Sequence, residues 1–168
     1  MEAARAKGIA IDGVIFEEGF GPTPVEIIRS LSGRDFLLKI LNDELPQPSI
    51  HGTFDFRLIE VGEGKAVFSG RPNASFLNPM GGVHGSYIAA LLDSAMACSA
   101  HTLCPAGTTN TSVEMKVSFI RPVMASTGRL TATGQVINGG RTIAVTEGRL
   151  VGEDGKLYAH GTQTCMRI

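Results

Sequence analysis

The chain has 168 residues, 43% of them hydrophobic, and a formal net charge of -1 from 15 basic and 16 acidic side chains. That length and apolar content suit one domain with a sizeable core and an assembly surface, and leave little for a second domain. Balanced charge gives no global field toward nucleic acid or anionic lipid, so an anionic ligand has to be met by local groups.

Residues 1–22 hold no uninterrupted apolar stretch long enough for a secretory signal. The first fifty residues are punctuated by Gly21-Pro22-Thr23-Pro24 and by Pro46-Gln47-Pro48. Between them the spacing predicts a helix, with Ser32 as N-cap, Asp35 in the first turn, and Phe36, Leu37, Ile40 and Leu41 as an apolar stripe. Residues 1–50 read as an N-terminal extension packed on a core formed by residues 51–168. From His51 the period turns alternating: Phe54, Phe56 and Leu58 against Thr53, Asp55 and Arg57, then a turn at Gly62-Glu63-Gly64 and a second strand over 65–71.

Residues 85–104 follow as a run that is apolar or small apart from Asp93, Ser94, Ser99 and His101. A carboxylate near its centre, with no basic flanks and no aromatic belt, marks a buried helix of a soluble protein rather than a membrane span. Four strands are predicted after it. In the clearest, Val113, Met115, Val117 and Phe119 alternate with Ser112, Glu114, Lys116 and Ser118; the next alternates Leu130, Ala132 and Val136 with polar neighbours. Turns at Asn138-Gly139-Gly140 and Glu153-Asp154-Gly155 lead into the last two, over 141–151 and 156–167. One-sided alternation implies an antiparallel sheet with one face on a core. A helix that is apolar nearly all round must be surrounded, by a curved sheet on one side and a partner subunit on another. Three cysteines, Cys98, Cys104 and Cys165, are an odd number without metal-ligand spacing and suit a reducing, cytoplasmic setting. His101 and Cys104, three apart, could share a helix face, but two ligands do not make a metal site.

The chemistry concentrates around Asn78-Pro79-Met80-Gly81-Gly82-Val83-His84-Gly85-Ser86, which opens the buried helix. Glycines let a ligand approach the backbone, and the free amides of a first helical turn favour an oxyanion. Asp93 is the only charged side chain between Arg71 and Glu114. A carboxylate in an apolar helix needs a partner or a use; as an active group it would deprotonate water or attack a carbonyl itself, and a satisfied structural aspartate is the plainer alternative. Gly85 and Asp93, eight positions apart, are separated by roughly 12 Å along a helix and cannot touch one reacting carbonyl. Antiparallel helices across a twofold axis would bring Asp93 of one subunit to Gly85 of the other, giving two equivalent sites built from both chains.

The spacing of Asn78, His84-Gly85 and Asp93, with Thr111-Ser112-Val113-Glu114-Met115, Phe119-Ile120-Arg121-Pro122 and Gly139-Gly140-Arg141, resembles the phenylacetic-acid-degradation (PaaI-type) branch of the hot-dog thioesterases over about residues 51–168. The resemblance implies an α+β hot-dog fold, a long central helix wrapped by a curved antiparallel sheet of about six strands, here with an N-terminal helical extension. It implies hydrolysis of an acyl-coenzyme A thioester by a homodimer or dimer of dimers. Asp93 would be the catalytic carboxylate, and the Gly85 amide, helped by Asn78, would polarise the carbonyl. Ser112 matches the position where relatives hold the water. His84 would orient the loop or lie near the leaving sulfur, a structural hydrogen bond being the alternative. Gly82, Val83, Arg121, Asn138, Gly139, Gly140 and Arg141 match regions that approach coenzyme A, where a cation suits phosphate. Coenzyme A is part of the substrate; no other cofactor, metal, nucleic acid or membrane is expected. Many relatives carry a second glycine where this chain has Ser86, whose amide is expected to remain free. A dehydratase or hydratase of the same fold is the alternative enzyme, but its His-Phe-Pro element is missing; a non-catalytic acyl-CoA-binding protein would not need Asp93 and Asn78.

Overall fold

A computed structural model describes residues 10–11, 14–15 and 19–168. Much of the stretch 1–22, read above for a signal segment, lies outside the described residues. Ala10–Ile11 (β1) pairs antiparallel with Val14–Ile15 (β2). Three short helices follow: Val25–Ser30 (α1), Gly33–Leu41 (α2) and Ser49–Thr53 (α3). Ser32 caps α2 as its sequence suggests, its hydroxyl accepting from the Asp35 amide at 3.2 Å. Of the apolar stripe of α2, Leu37 and Ile40 are buried in the main core and Phe36 and Leu41 are half-buried against it.

The remaining elements are Phe56–Gly62 (β3), Lys65–Gly70 (β4), the long helix Gly85–His101 (α4), Asn110–Phe119 (β5), Leu130–Gly139 (β6), Ile143–Gly152 (β7) and Leu157–Arg167 (β8). Six strands make one antiparallel sheet in the order β3-β4-β6-β7-β8-β5. It curves around α4, as expected. The start of the alternating segment is corrected: His51 and Thr53 complete α3, Phe54 follows it, and the strand begins at Phe56. Pro48 stands at the N-cap of that single turn, and the Phe54 amide closes it on the Ile50 carbonyl. The long helix ends at His101, so Cys104 lies beyond it and shares no helix face with His101. No helix among the described residues is long and apolar enough to cross a membrane.

The helix rests on a row of glycines. Gly134 of β6 pairs with Gly148 of β7, which pairs with Gly161 of β8. A Cβ at Gly134 would collide with the Ala95 carbonyl, and one at Gly148 would stand 2.8 Å from Met96 Cγ. Absence of side chains in this row lets α4 approach the sheet backbone directly. Tyr87, Leu91, Leu92, Ala95 and Met96 are fully enclosed. The opposite side of α4 is only half-covered and carries small residues around Asp93, namely Ala89, Ala90 and Ala97.

Strand β5 departs from the expectation that each strand buries one face. It is the sheet edge, and Val113, Phe119 and the following Ile120 are 52%, 58% and 47% exposed. A bulge between Ser112 and Glu114 shifts the register with β8. Beyond the bulge Met115, Val117 and Phe119 pair with Gln163, Gly161 and Ala159, the inward-facing series of β8, yet only Val117 is packed against the core. The apolar alternation is real, but one chain does not cover it.

Candidate active site

The loop before α4 is held by its own hydrogen bonds. Asn78 N–H donates to the Gly82 carbonyl at 2.7 Å, Gly81 N–H donates back to the Asn78 carbonyl at 3.0 Å, and Gly81 takes φ +82°. The Asn78 side-chain oxygen accepts from the Met80 and Gly82 amides at 2.9 and 3.2 Å, which leaves Nδ2 as the outward donor. Val83 is buried, and its amide donates to the Val123 carbonyl at 2.8 Å. His84 is the N-cap of α4: its Nδ1 accepts from the Ser86 amide at 3.1 Å and lies 2.8 Å from the Ser86 hydroxyl. An accepting Nδ1 puts the ring proton on Nε2. The Ser86 amide is therefore engaged, contrary to the expectation that it stays free. The Gly85 amide has no hydrogen-bond partner among the described residues. Phe119 lies over Gly85, 3.1 Å from where a Cβ would stand.

Two turns along α4, the half-buried Asp93 meets β5 and β8. Its Oδ1 accepts from Ser112 Oγ at 3.1 Å and from Gln163 Nε2 at 2.5 Å, and Gln163 Nε2 also reaches Ser112 Oγ at 2.5 Å. Asp93 Oδ2 has no hydrogen-bond partner among the described residues. Gln163 is 1% exposed and its Oε1 is unpartnered. Sequence reasoning missed this glutamine, although a signal existed: in the inward series Ala159, Gly161, Gln163, Cys165, a polar side chain occupies a core position. The neighbouring Cys98 thiol is pushed up to about 12, first by burial and then by the negative charge of Asp93 and by Cys165. It stays a thiol at neutral pH. Among the described residues no three His, Cys, Asp or Glu side chains converge as metal ligands would.

The expected site residues fall into three places along α4. Asn78, Gly82, Val83, His84 and Gly85 gather at its N-terminus, where the strand carrying Phe119 leads to Arg121, whose guanidinium donates to the Leu157 carbonyl at 2.5 Å. Asp93 and Ser112 meet in the middle. The turn Asn138, Gly139, Gly140 and Arg141 lies at the far end, with Gly139 against Leu103. A helix of 17 residues is about 25 Å long, so one chain does not bring these groups together.

A profile of the thioesterase superfamily matches residues 80–159, from the glycine loop through α4 to β8. No curated protein sequence matches the chain significantly. Among solved structures, a phenylacetic acid degradation-related protein of Ralstonia eutropha JMP134 is 30% identical, with 78% of this chain and 98% of that one covered at a TM-score of 0.71. A mutant form of the phenylacetic acid degradation protein PaaI of Thermus thermophilus is 29% identical, covering 71% of this chain and 98% of its own at 0.65. PaaI of E. coli, from the phenylacetic acid degradation operon, is 26% identical over 83% of this chain and 96% of its own, at 0.69. Motif spacing, sheet order and these relatives agree: the chain belongs to the thioesterase superfamily, as a hot-dog thioester hydrolase of the PaaI type.

Proposed function

We propose that the protein hydrolyses an acyl-coenzyme A thioester at two equivalent sites in a dimer, or in a dimer of dimers, each site using Asp93 of one subunit and the Gly85 amide of its partner. The observation that carries this reading is the Asp93 carboxylate, anchored through Oδ1 by Ser112 and Gln163 with Oδ2 left without a partner among the described residues, on the half-covered side of α4. Anchoring one oxygen fixes the direction of the other. Oδ2 then either takes a proton from a water that adds to the carbonyl carbon, or adds itself to give a mixed anhydride that water cleaves. In both courses the C–S bond breaks and coenzyme A leaves as a thiol, while the carbonyl oxygen carries the developing charge toward the Gly85 amide and Asn78 Nδ2.

The exposed apolar face and free edge of β5 support an assembly, because a long apolar edge strand is a template for pairing. Antiparallel packing of two copies of α4 would also bring the Asn138 to Arg141 turn of one chain toward Arg121 of the other, where both suit coenzyme A phosphates. Three neighbours bear names from phenylacetic acid degradation, which supports a carboxylic acyl group held as a thioester. Coenzyme A is the leaving group, no further cofactor takes part, and residues 1–50 act as a segment added to the catalytic 51–168.

The test combines subunits. Asp93→Asn and Asn78→Ala proteins should each lose most thiol release from acyl-CoA, and exchanged mixtures should regain part of it, since a mixed dimer holds one site with both lesions and one with neither. No regain after exchange has been verified by mass would sink the shared site; full activity of Asp93→Asn alone would sink the carboxylate role.

A further inference from the structure

A cavity of about 360 Å³ begins at Ser112, whose hydroxyl touches Asp93, and extends along α4 past Ala97 and His101. Those two residues are one and two turns beyond Asp93, roughly 6 and 12 Å along the axis. Its outer wall belongs to the N-terminal helices, through Phe36, Ile40 and His51. The wall is fastened to the end of α4 and the residues after it: Phe36 meets the His101 ring edge-on at 5.7 Å, and Gly33 N–H, at the start of α2, donates to the Cys104 carbonyl at 2.9 Å.

The two imidazoles that line the cavity have defined tautomers. Gln47 Nε2 donates to the Ile40 carbonyl at 2.8 Å, so its Oε1, 3.1 Å from His51 Nδ1, accepts the ring proton there. Asn110 Nδ2 donates to the Ala97 carbonyl at 3.0 Å, so its Oδ1, 2.8 Å away, accepts from His101 Nδ1. Each ring is left with Nε2 as a bare acceptor. Neither Nε2 has a hydrogen-bond partner among the described residues, and both rings line the cavity. Burial, then the charge of Arg57, pushes His51 down to about 4, and burial lowers His101, which keeps both rings neutral.

We propose that this cavity receives the acyl group of the substrate and selects one of medium length that carries a hydroxyl, or another hydrogen-bond donor, toward its far end. This rests on Asp93 being the reacting carboxylate. A cavity of ~150 Å³ takes up benzene, so the volume here has room for an acyl group of about eight to ten carbons. A donor meeting Nε2 satisfies a nitrogen that an unsubstituted chain strips of water. A carboxylate at the histidine end meets two bare ring acceptors and gains no donor from either imidazole.

The wild-type protein decides this with acetyl-CoA, octanoyl-CoA, 8-hydroxyoctanoyl-CoA and the CoA thioester of octanedioic acid. Thiol release should give kcat/KM about fivefold higher for the hydroxylated than for the plain eight-carbon chain, and at least about a hundredfold higher than for the carboxylated one. In Ala97→Phe, which fills the cavity, the octanoyl-to-acetyl ratio of kcat/KM should fall about tenfold. In His51→Phe the preference for the hydroxyl should fall below about twofold. Activity on acetyl-CoA with equal kcat/KM for the three eight-carbon substrates overturns the cavity assignment alone. No thiol release from any of the four overturns the catalytic reading, and the inference with it.

Discussion

Replacing Gln163 by Leu should move activity and stability in opposite directions. The side chain is enclosed, donates to Asp93 and Ser112 through Nε2, and leaves Oε1 without a partner. A hydrogen bond to a charged group contributes about 1.5–3 kcal/mol, so losing it from the reacting carboxylate should lower kcat by roughly ten- to a hundredfold, with KM changed little because Gln163 is enclosed and does not line the cavity. A buried unsatisfied acceptor costs about 1–3 kcal/mol, and Leu removes it while filling nearly the same volume. Asp93 and Ser112 keep access to water, since neither is enclosed. The unfolding midpoint should therefore hold or rise, by about 2–4 °C for each kcal/mol in a chain of this size. Steady-state thiol release and a thermal melt at fixed protein concentration measure both quantities. Wild-type kcat in a folded Gln163→Leu protein would refute the role of Gln163 in holding Asp93, and a Tm several degrees lower would refute the account of its Oε1.

Substituting Arg121 or Arg141 by Ala should raise KM for acyl-CoA with kcat little changed, because phosphate contacts made equally in ground and transition states add affinity without turnover; a loss confined to kcat in both variants would contradict this. His51 supplies a pH dependence of stability. Its folded value is depressed to about 4, below the ordinary 6.5, so the unfolded chain binds the proton more readily and stability is lost as pH falls from 6.5 toward 4. The loss should reach about 3 kcal/mol by urea unfolding, and the slope should flatten in His51→Phe; an unchanged slope in that variant would assign the acid sensitivity elsewhere.

The order of two strands, a long helix and four strands was legible because alternation, glycine turns and one uninterrupted apolar run are local signals. So was the start of α4, where the glycine-rich segment precedes the run, although the capping role of His84 was not. The beginning of β3 was not: His51 and Thr53 fit an alternating pattern as well as the one-turn helix that Pro48 initiates, and burial of His51 against Phe56 and Phe68 is a tertiary matter. Asp93 stood out as an isolated charge, whereas Gln163, 70 positions away, joins it only through the pairing of β8 with β5. The half-open face of β5 was equally hidden, since periodicity reports which side chains share a face and not what covers them.

The glycine row beneath α4 makes that helix an indexed part. Side chains on facing surfaces can usually repack and let a helix slide or roll, but Gly134 and Gly148 set peptide groups and methionine atoms directly against each other, with nothing soft between them. Ala95 is two residues past Asp93, and Gly161 lies two before Gln163 on the same inward face of β8. Axial alignment of the carboxylate with its two donors is thus inherited from residues that have no side chains, which can fix the site without touching anything that enters it.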